Sequence, residues 1–216
     1  MNNHDKIYDM FDRNSGAEPL ICVEMSGNHQ GSLDVAVEFA RSAKSAGADL
    51  LKVQVYKPDT ITFQSDFPDF KLSGDNDWVD YGTLYQLYEK AHTPWDWVAT
   101  IFTEAKKLDL PVFASPFDQT AVDFLEGLDC PIYKIASPEI TDVGLIEACA
   151  RTGKPIIMST GLASRTDLDD AVEVVRSYGL PMMILKCVSA YPTPIKDMNL
   201  ATIPWLKEVY GCSVGL

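Results

Sequence analysis

What this sequence has little of narrows its function first. No apolar run approaches the roughly 20 residues that span a membrane. The N-terminal MNNHDKIYDM carries neither the basic start nor the apolar stretch of a secretion signal. Positive charge is scarce: 18 Lys and Arg stand against 31 Asp and Glu, a formal net charge of −13. Binders of nucleic acid or anionic membrane need a basic face to displace counterions, so neither partner is expected. The five cysteines, Cys22, Cys130, Cys149, Cys187 and Cys212, are odd in number and form no C-x-x-C pair. Reduced, mostly buried thiols in a cytoplasmic protein are the expectation. Histidine is limited to His4, His29 and His92, no two at a ligand spacing, so no dedicated metal site is visible. No glycine-rich dinucleotide fingerprint follows the first apolar run, which argues against a Rossmann fold.

What is present is an ordinary globular composition, 46% hydrophobic and 23% charged, able to bury a substantial core. Seven short β-rich runs recur: Leu20–Met25, Leu50–Tyr56, Pro111–Ser115, Ile132–Ala136, Pro155–Ser159, Met182–Cys187 and Cys212–Leu216. Most are continuous rather than alternating, as parallel strands covered on both faces are. Helical patterns lie between them. Ser32 can cap Leu33–Ala46 with Gly47 as its terminator, and Thr93-Pro94 opens a helix to about Lys107 with Pro at its first position. Shorter helices fit Thr120–Gly127, Asp142–Arg151, Thr166–Tyr178 and Leu200–Tyr210. Repeated βα units predict an α/β fold, a TIM (β/α)8 barrel truncated after about strand seven. Residues 1–18 read as a polar extension and 19–216 as the incomplete barrel. The stretch 57–92 is an insertion containing a helix over Thr83–Ala91, placed where a substrate lid would sit, and a plain surface excursion fits the pattern equally well.

Polar residues inside the strands carry the chemistry. Glu24, Lys52, Gln54, Lys134 and Lys186 interrupt runs of Val, Ile and Leu. An unpaired buried ion costs several kcal/mol, so such residues pair, snorkel or serve a ligand. In LKVQVY a period of two puts Lys52, Gln54 and Tyr56 on one face, opposite Val53 and Val55. The bland alternative is an ion pair such as Glu24 with Lys52. Ser115, Ser137, Ser159 and Ser189 each sit at or just past a strand's C-terminal end. Hydroxyls, backbone N–H groups and two or three lysines on one barrel face would suit phosphate and carboxylate, although any one serine there is more often a helix cap or turn residue. Asn28-His29 and Tyr191 follow strands one and six and are candidate substrate contacts.

Taken together, EMSGNHQGSLD, AGADLLKVQVY, HTPWDW, SPFDQTAVDFLE, YKIASPEITD, GKPIIMSTGLAS and SAYPTPIKDMNL resemble the sialic acid synthase family, from about residue 18 onward. TLYQLYEKAHTPWDW and KPDTIT are most similar to its pseudaminic acid synthase branch, with the N-acetylneuraminate and legionaminate branches as alternatives. The resemblance implies condensation of phosphoenolpyruvate with an open-chain N-acylated amino sugar, for this branch 2,4-diacetamido-2,4,6-trideoxy-altrose. It implies Mn²⁺ or Mg²⁺ as a Lewis acid and a homodimer. By position, Lys52, Ser115, Lys134, Ser137, Ser159 and Ser189 would hold phosphoenolpyruvate, with Tyr191 beside them. Glu24, Gln54 and Glu139 would face the sugar, and Glu24 or Glu139 would manage protons. Position 189 is Ser where the neuraminate branch has Asn.

In the family, two metal-binding histidines and a small antifreeze-like domain follow the segment that ends here at Leu216. The expectation is therefore that residues 1–216 alone have little or no synthase activity. An unclosed barrel would also expose strand edges and tend to associate. Two other readings remain: a non-catalytic binding or interaction domain, and a Schiff-base aldolase using Lys134 or Lys52.

Overall fold

Continuous Val, Ile and Leu runs bounded by Gly, Pro and Asp turns favour strands covered on both faces, and all seven runs form strands. The computed structural model describes residues 7–12, 14, 16, 18–74, 78–190 and 192–216. The chain divides into a unit of residues 22–124 and a unit of residues 125–216 with the N-terminal stretch through Ile21.

In the first unit, β1 (Cys22–Glu24), β2 (Leu50–Val55) and β3 (Val112–Pro116) pair in parallel in chain order. Leu51, Val53, Val55 and Ala114 are fully buried, while Lys52 and Gln54 alternate with them on the other face. Helix α1 (Leu33–Ser45) starts where the Ser32 Oγ accepts from the Val35 N–H at 3.4 Å. Its buried stripe is Ala36, Ala40 and Ala43, small side chains that let it pack on α4 (Trp95–Lys107). Gly47 follows α1 at φ +90°, a left-handed conformation that an L side chain resists. Pro94 is the N-cap of α4, not its first helical residue as expected.

The insertion holds α2 (Pro58–Ile61), two 3₁₀ turns, and α3 (Leu84–Ala91), capped by Thr83 on the Gln86 N–H at 3.2 Å. It is anchored at both ends. Tyr56 packs edge-on against Tyr88 and Phe117, and its carbonyl accepts from Trp95 Nε1 at 3.3 Å. At the far end, the Ala91 carbonyl approaches so closely that a Cβ on Gly27 would meet it at 3.0 Å. The middle exposes Phe63 (77%) and Phe67 (72%). α5 (Gln119–Glu126) follows β3.

In the second unit, β4 (Tyr133–Ile135), β5 (Ile156–Ser159), β6 (Met182–Leu185) and β7 (Ser213–Gly215) also pair in parallel in chain order. Helices α6 (Val143–Arg151) and α7 (Arg165–Ser177) pack on each other, and α8 (Thr202–Tyr210) packs on β7. Asp142 caps α6 on the Leu145 N–H at 2.9 Å. Ser164 and Asp167 form a reciprocal capping box at the start of α7. The Arg176 guanidinium donates to the Tyr210 carbonyl at 2.6 Å and the Tyr210 hydroxyl to Asp169 at 2.7 Å, tying α7 to the end of α8. Within the stretch expected as a polar extension, Ile7 is buried. Cys130, Cys149 and Cys212 are buried thiols, Cys187 is half-buried and Cys22 is exposed. No helix among the described residues is long and apolar enough to cross a membrane.

Candidate active site

Register decides which polar side chains share a face. In the first unit Glu24 lies opposite Lys52 and Gln54 opposite Ser115 in the parallel ladders, so all four project from one face at the strands' C-terminal ends. Lys52 Nζ and Glu24 Oε2 form an ion pair, and Glu24 Oε1 also accepts from the Ser26 N–H at 3.0 Å. The structure thus contains the ion pair that is the alternative reading of Glu24 and Lys52. Ser115 is 1% exposed and its Oγ has no hydrogen-bond partner among the described residues. A buried hydroxyl in that state has hydrogen-bonding capacity to spare.

Asn28 and His29 diverge. Asn28 is exposed. His29 is 1% exposed, lies edge-on to Trp97 with ring centroids 5.5 Å apart, and its Nδ1 accepts from the Gly31 N–H at 3.1 Å. Burial lowers its pKa, against the Ala91 and His92 backbone groups, which favour the protonated ring. His29 therefore packs the loop after β1 against Trp97 of α4, and its buried Nε2 has no hydrogen-bond partner among the described residues.

Asp118 was not visible as a candidate in the sequence. Its Oδ1 caps α5, accepting from the Thr120 N–H at 2.7 Å and the Ala121 N–H at 3.2 Å, while the buried Oδ2 has no partner among the described residues. The available signal was the cap itself, Asp two residues before Thr120 at a helix start.

In the second unit, Lys134 aligns with Ile157, Met183 and Ser213, and Ser159 with Leu185 and Gly215. That face is the polar one. Lys186 departs from the expectation of shared lysines. It continues the alternation of Met182 and Ile184, the opposite face, and its Nζ donates to the Cys187 carbonyl at 2.9 Å. It opens instead on a cavity of about 430 Å³ with Asn199 and Trp205.

Hydroxyls stand where β4, β5 and β6 give out, and two of them converge. Ser137 Oγ accepts from the Gly161 N–H at 3.1 Å, and Ser137 and Ser189 both point at the space beside the Gly161 Cα. Ser159 is 1% exposed with the Cys187 thiol 3.5 Å from its Oγ. Glu139 lies on the 3₁₀ turn Pro138–Thr141 directly after Ser137, with Oε2 buried and unpartnered among the described residues. Burial raises its pKa, Asp142 adds to the rise, and its own backbone N–H and Lys134 pull it back. Glu139 thus favours its protonated form more than an ordinary carboxyl, whereas Glu24 is ion-paired. Tyr191 lies outside the described residues.

Among the described residues no three His, Cys, Asp or Glu side chains gather as a metal-ligand set. The described residues do not themselves fit a divalent ion.

The NeuB family model matches residues 39–216. A pseudaminic acid synthase of Helicobacter pylori is 46% identical over 199 residues, 92% of this chain and 58% of that protein. An N,N'-diacetyllegionaminic acid synthase of Campylobacter jejuni is 30% identical, over 91% of this chain and 59% of that one. The chain therefore spans under two thirds of the length of these relatives. Among solved structures, the N-acetylneuraminic acid (sialic acid) synthetase of Leptospira borgpetersenii in complex with citrate superposes with a TM-score of 0.80. It is 28% identical, over 92% of this chain and 64% of that one.

Proposed function

From the premise that this chain belongs to the NeuB family, we propose that its site condenses phosphoenolpyruvate with an open-chain N-acylated amino sugar in nonulosonic acid biosynthesis. The parallel strands then belong to a (β/α)8 barrel. The observation that carries the reading is the convergence of the Ser137 and Ser189 hydroxyls beside Gly161, at the end of strands whose one face also carries Lys134 and Ser159. A phosphate or carboxylate needs several short-armed donors and a cation, and these residues are of that kind.

In the reaction, C3 of phosphoenolpyruvate bonds to the sugar aldehyde carbon, whose oxygen takes a proton. Water then adds at C2, and phosphate leaves as the C–O bond breaks. One phosphoenolpyruvate, one sugar and one water give one nonulosonic acid and one phosphate. Glu139 is the proton manager, because burial favours its protonated form and leaves it a proton to give. Glu24 is the counter-ion of Lys52. Lys52 and Ser115 are further phosphoenolpyruvate ligands, and Gln54 and Asn28 are sugar contacts. The sugar is 2,4-diacetamido-2,4,6-trideoxy-altrose, a choice supported by 46% identity to a pseudaminic acid synthase against 30% to a legionaminic one.

The test is phosphate release with each of the three candidate sugars, with and without Mn²⁺. It compares residues 1–216 with the same residues joined to the family's following segments. Release is expected with the altrose sugar from the joined protein and little from residues 1–216. No release with any sugar from the joined protein overturns the reading. Phosphoenolpyruvate binding without release would make these residues a binding domain only.

A further inference from the structure

We propose that Thr160 and Gly161 are positioning residues that set the spacing of the Ser137 and Ser189 hydroxyls around one anion. The inference rests on the reading of that pair as part of the phosphoenolpyruvate site. The two serines come from two chain segments, and a loop serine is only as well placed as the backbone that carries it.

The β5–β6 ladder ends at Ser159 and Leu185. Beyond it Thr160 takes over the pairing. Its N–H and its hydroxyl both donate to the Leu185 carbonyl, at 3.1 and 3.0 Å, and its hydroxyl accepts from the Cys187 N–H at 3.3 Å. One side chain thereby clamps the end of β5 to the segment that leads to Ser189. On the other side, the Gly161 N–H reaches Ser137 Oγ at 3.1 Å and clamps the end of β4.

Gly161 adds a steric condition. A Cβ there would sit 2.4 Å from Ser189 Oγ and 2.8 Å from Ser137 Oγ. Its φ is not in the left-handed region, unlike that of Gly153 at +76° or Gly179 at +65°. The glycine is therefore required by the hydroxyls' convergence and not by a turn. An alanine would be tolerated by the backbone and would act by turning both serines away.

Titration calorimetry on the 216-residue chain, with phosphoenolpyruvate and with inorganic phosphate as probes, tests this. Thr160→Val is expected to weaken both anions about tenfold through its two lost hydrogen bonds, and Thr160→Ser to restore them. Gly161→Ala is expected to weaken them at least as much with an unchanged melting temperature, an outcome that a purely structural role does not produce. Thr160→Val and Gly161→Ala binding like the unsubstituted chain overturns the positioning role while leaving the anion site standing. An unsubstituted chain that binds neither anion overturns both.

Discussion

At the scale of single residues, two carboxylates that look equivalent in the sequence are separated by their surroundings. Glu139 is held toward its neutral form by burial, and Glu24 is ion-paired with Lys52. Under the proposed reaction, Glu139→Gln is expected to abolish phosphate release from residues 1–216 joined to the family's following segments and leave phosphoenolpyruvate binding nearly intact. A carboxyl whose pKa is raised by folding contributes stability that is full below its unfolded value, about 4.3, and lost as pH rises through the folded value. The melting temperature of Glu139→Gln should therefore gain on the unsubstituted chain as pH climbs above that range, and a constant difference would contradict the assignment. For the ion pair, Lys52→Met is expected to cost about 2 kcal/mol because it leaves Glu24 half-buried without its cation. Adding Glu24→Gln should recover part of that loss, as denaturant titration of the double-mutant cycle would show. The facing of Lys52 and Gln54 was legible because alternation within one strand is a counting argument. Lys186 was not, since the sequence showed a lysine at a strand end without showing where the count began. Thr160 and Asp118 were illegible as candidates because their roles depend on what a neighbouring segment presents to them.

At the scale of elements, all seven strands and the longer helices fall within a few residues of their sequence signals, for reasons that are local. Ser32, Thr83 and Asp142 cap the helices that follow them, and β-branched runs fill the strands. The 3₁₀ turn Pro138–Thr141, which carries Glu139, had no such signal. Four residues are too few for a periodicity to show. The capping box of α7 gives a control for the site predictions: Ser164→Ala should cost about 1 kcal/mol in denaturant unfolding with no change in anion affinity. His29 packs the loop after β1 onto Trp97 and adds a pH dependence of its own. Its pKa is lowered by folding, so its contribution is full above the unfolded value, near 6.5, and lost as pH falls through the folded one. Stability should therefore drop more steeply with acidification in the unsubstituted chain than in His29→Gln. Parallel pH profiles would remove His29 from that role.

At the scale of the whole molecule, the net charge of −13 and the anion reading of the site are compatible because binding is local. The hydroxyls and the lysine read as anion ligands act at contact distance, whereas the surface acids act across solvent and are screened over roughly 10 Å at 0.1 M salt. Raising salt should consequently weaken phosphoenolpyruvate binding only modestly. A steep loss of affinity in calorimetric titrations at rising salt would contradict the local reading.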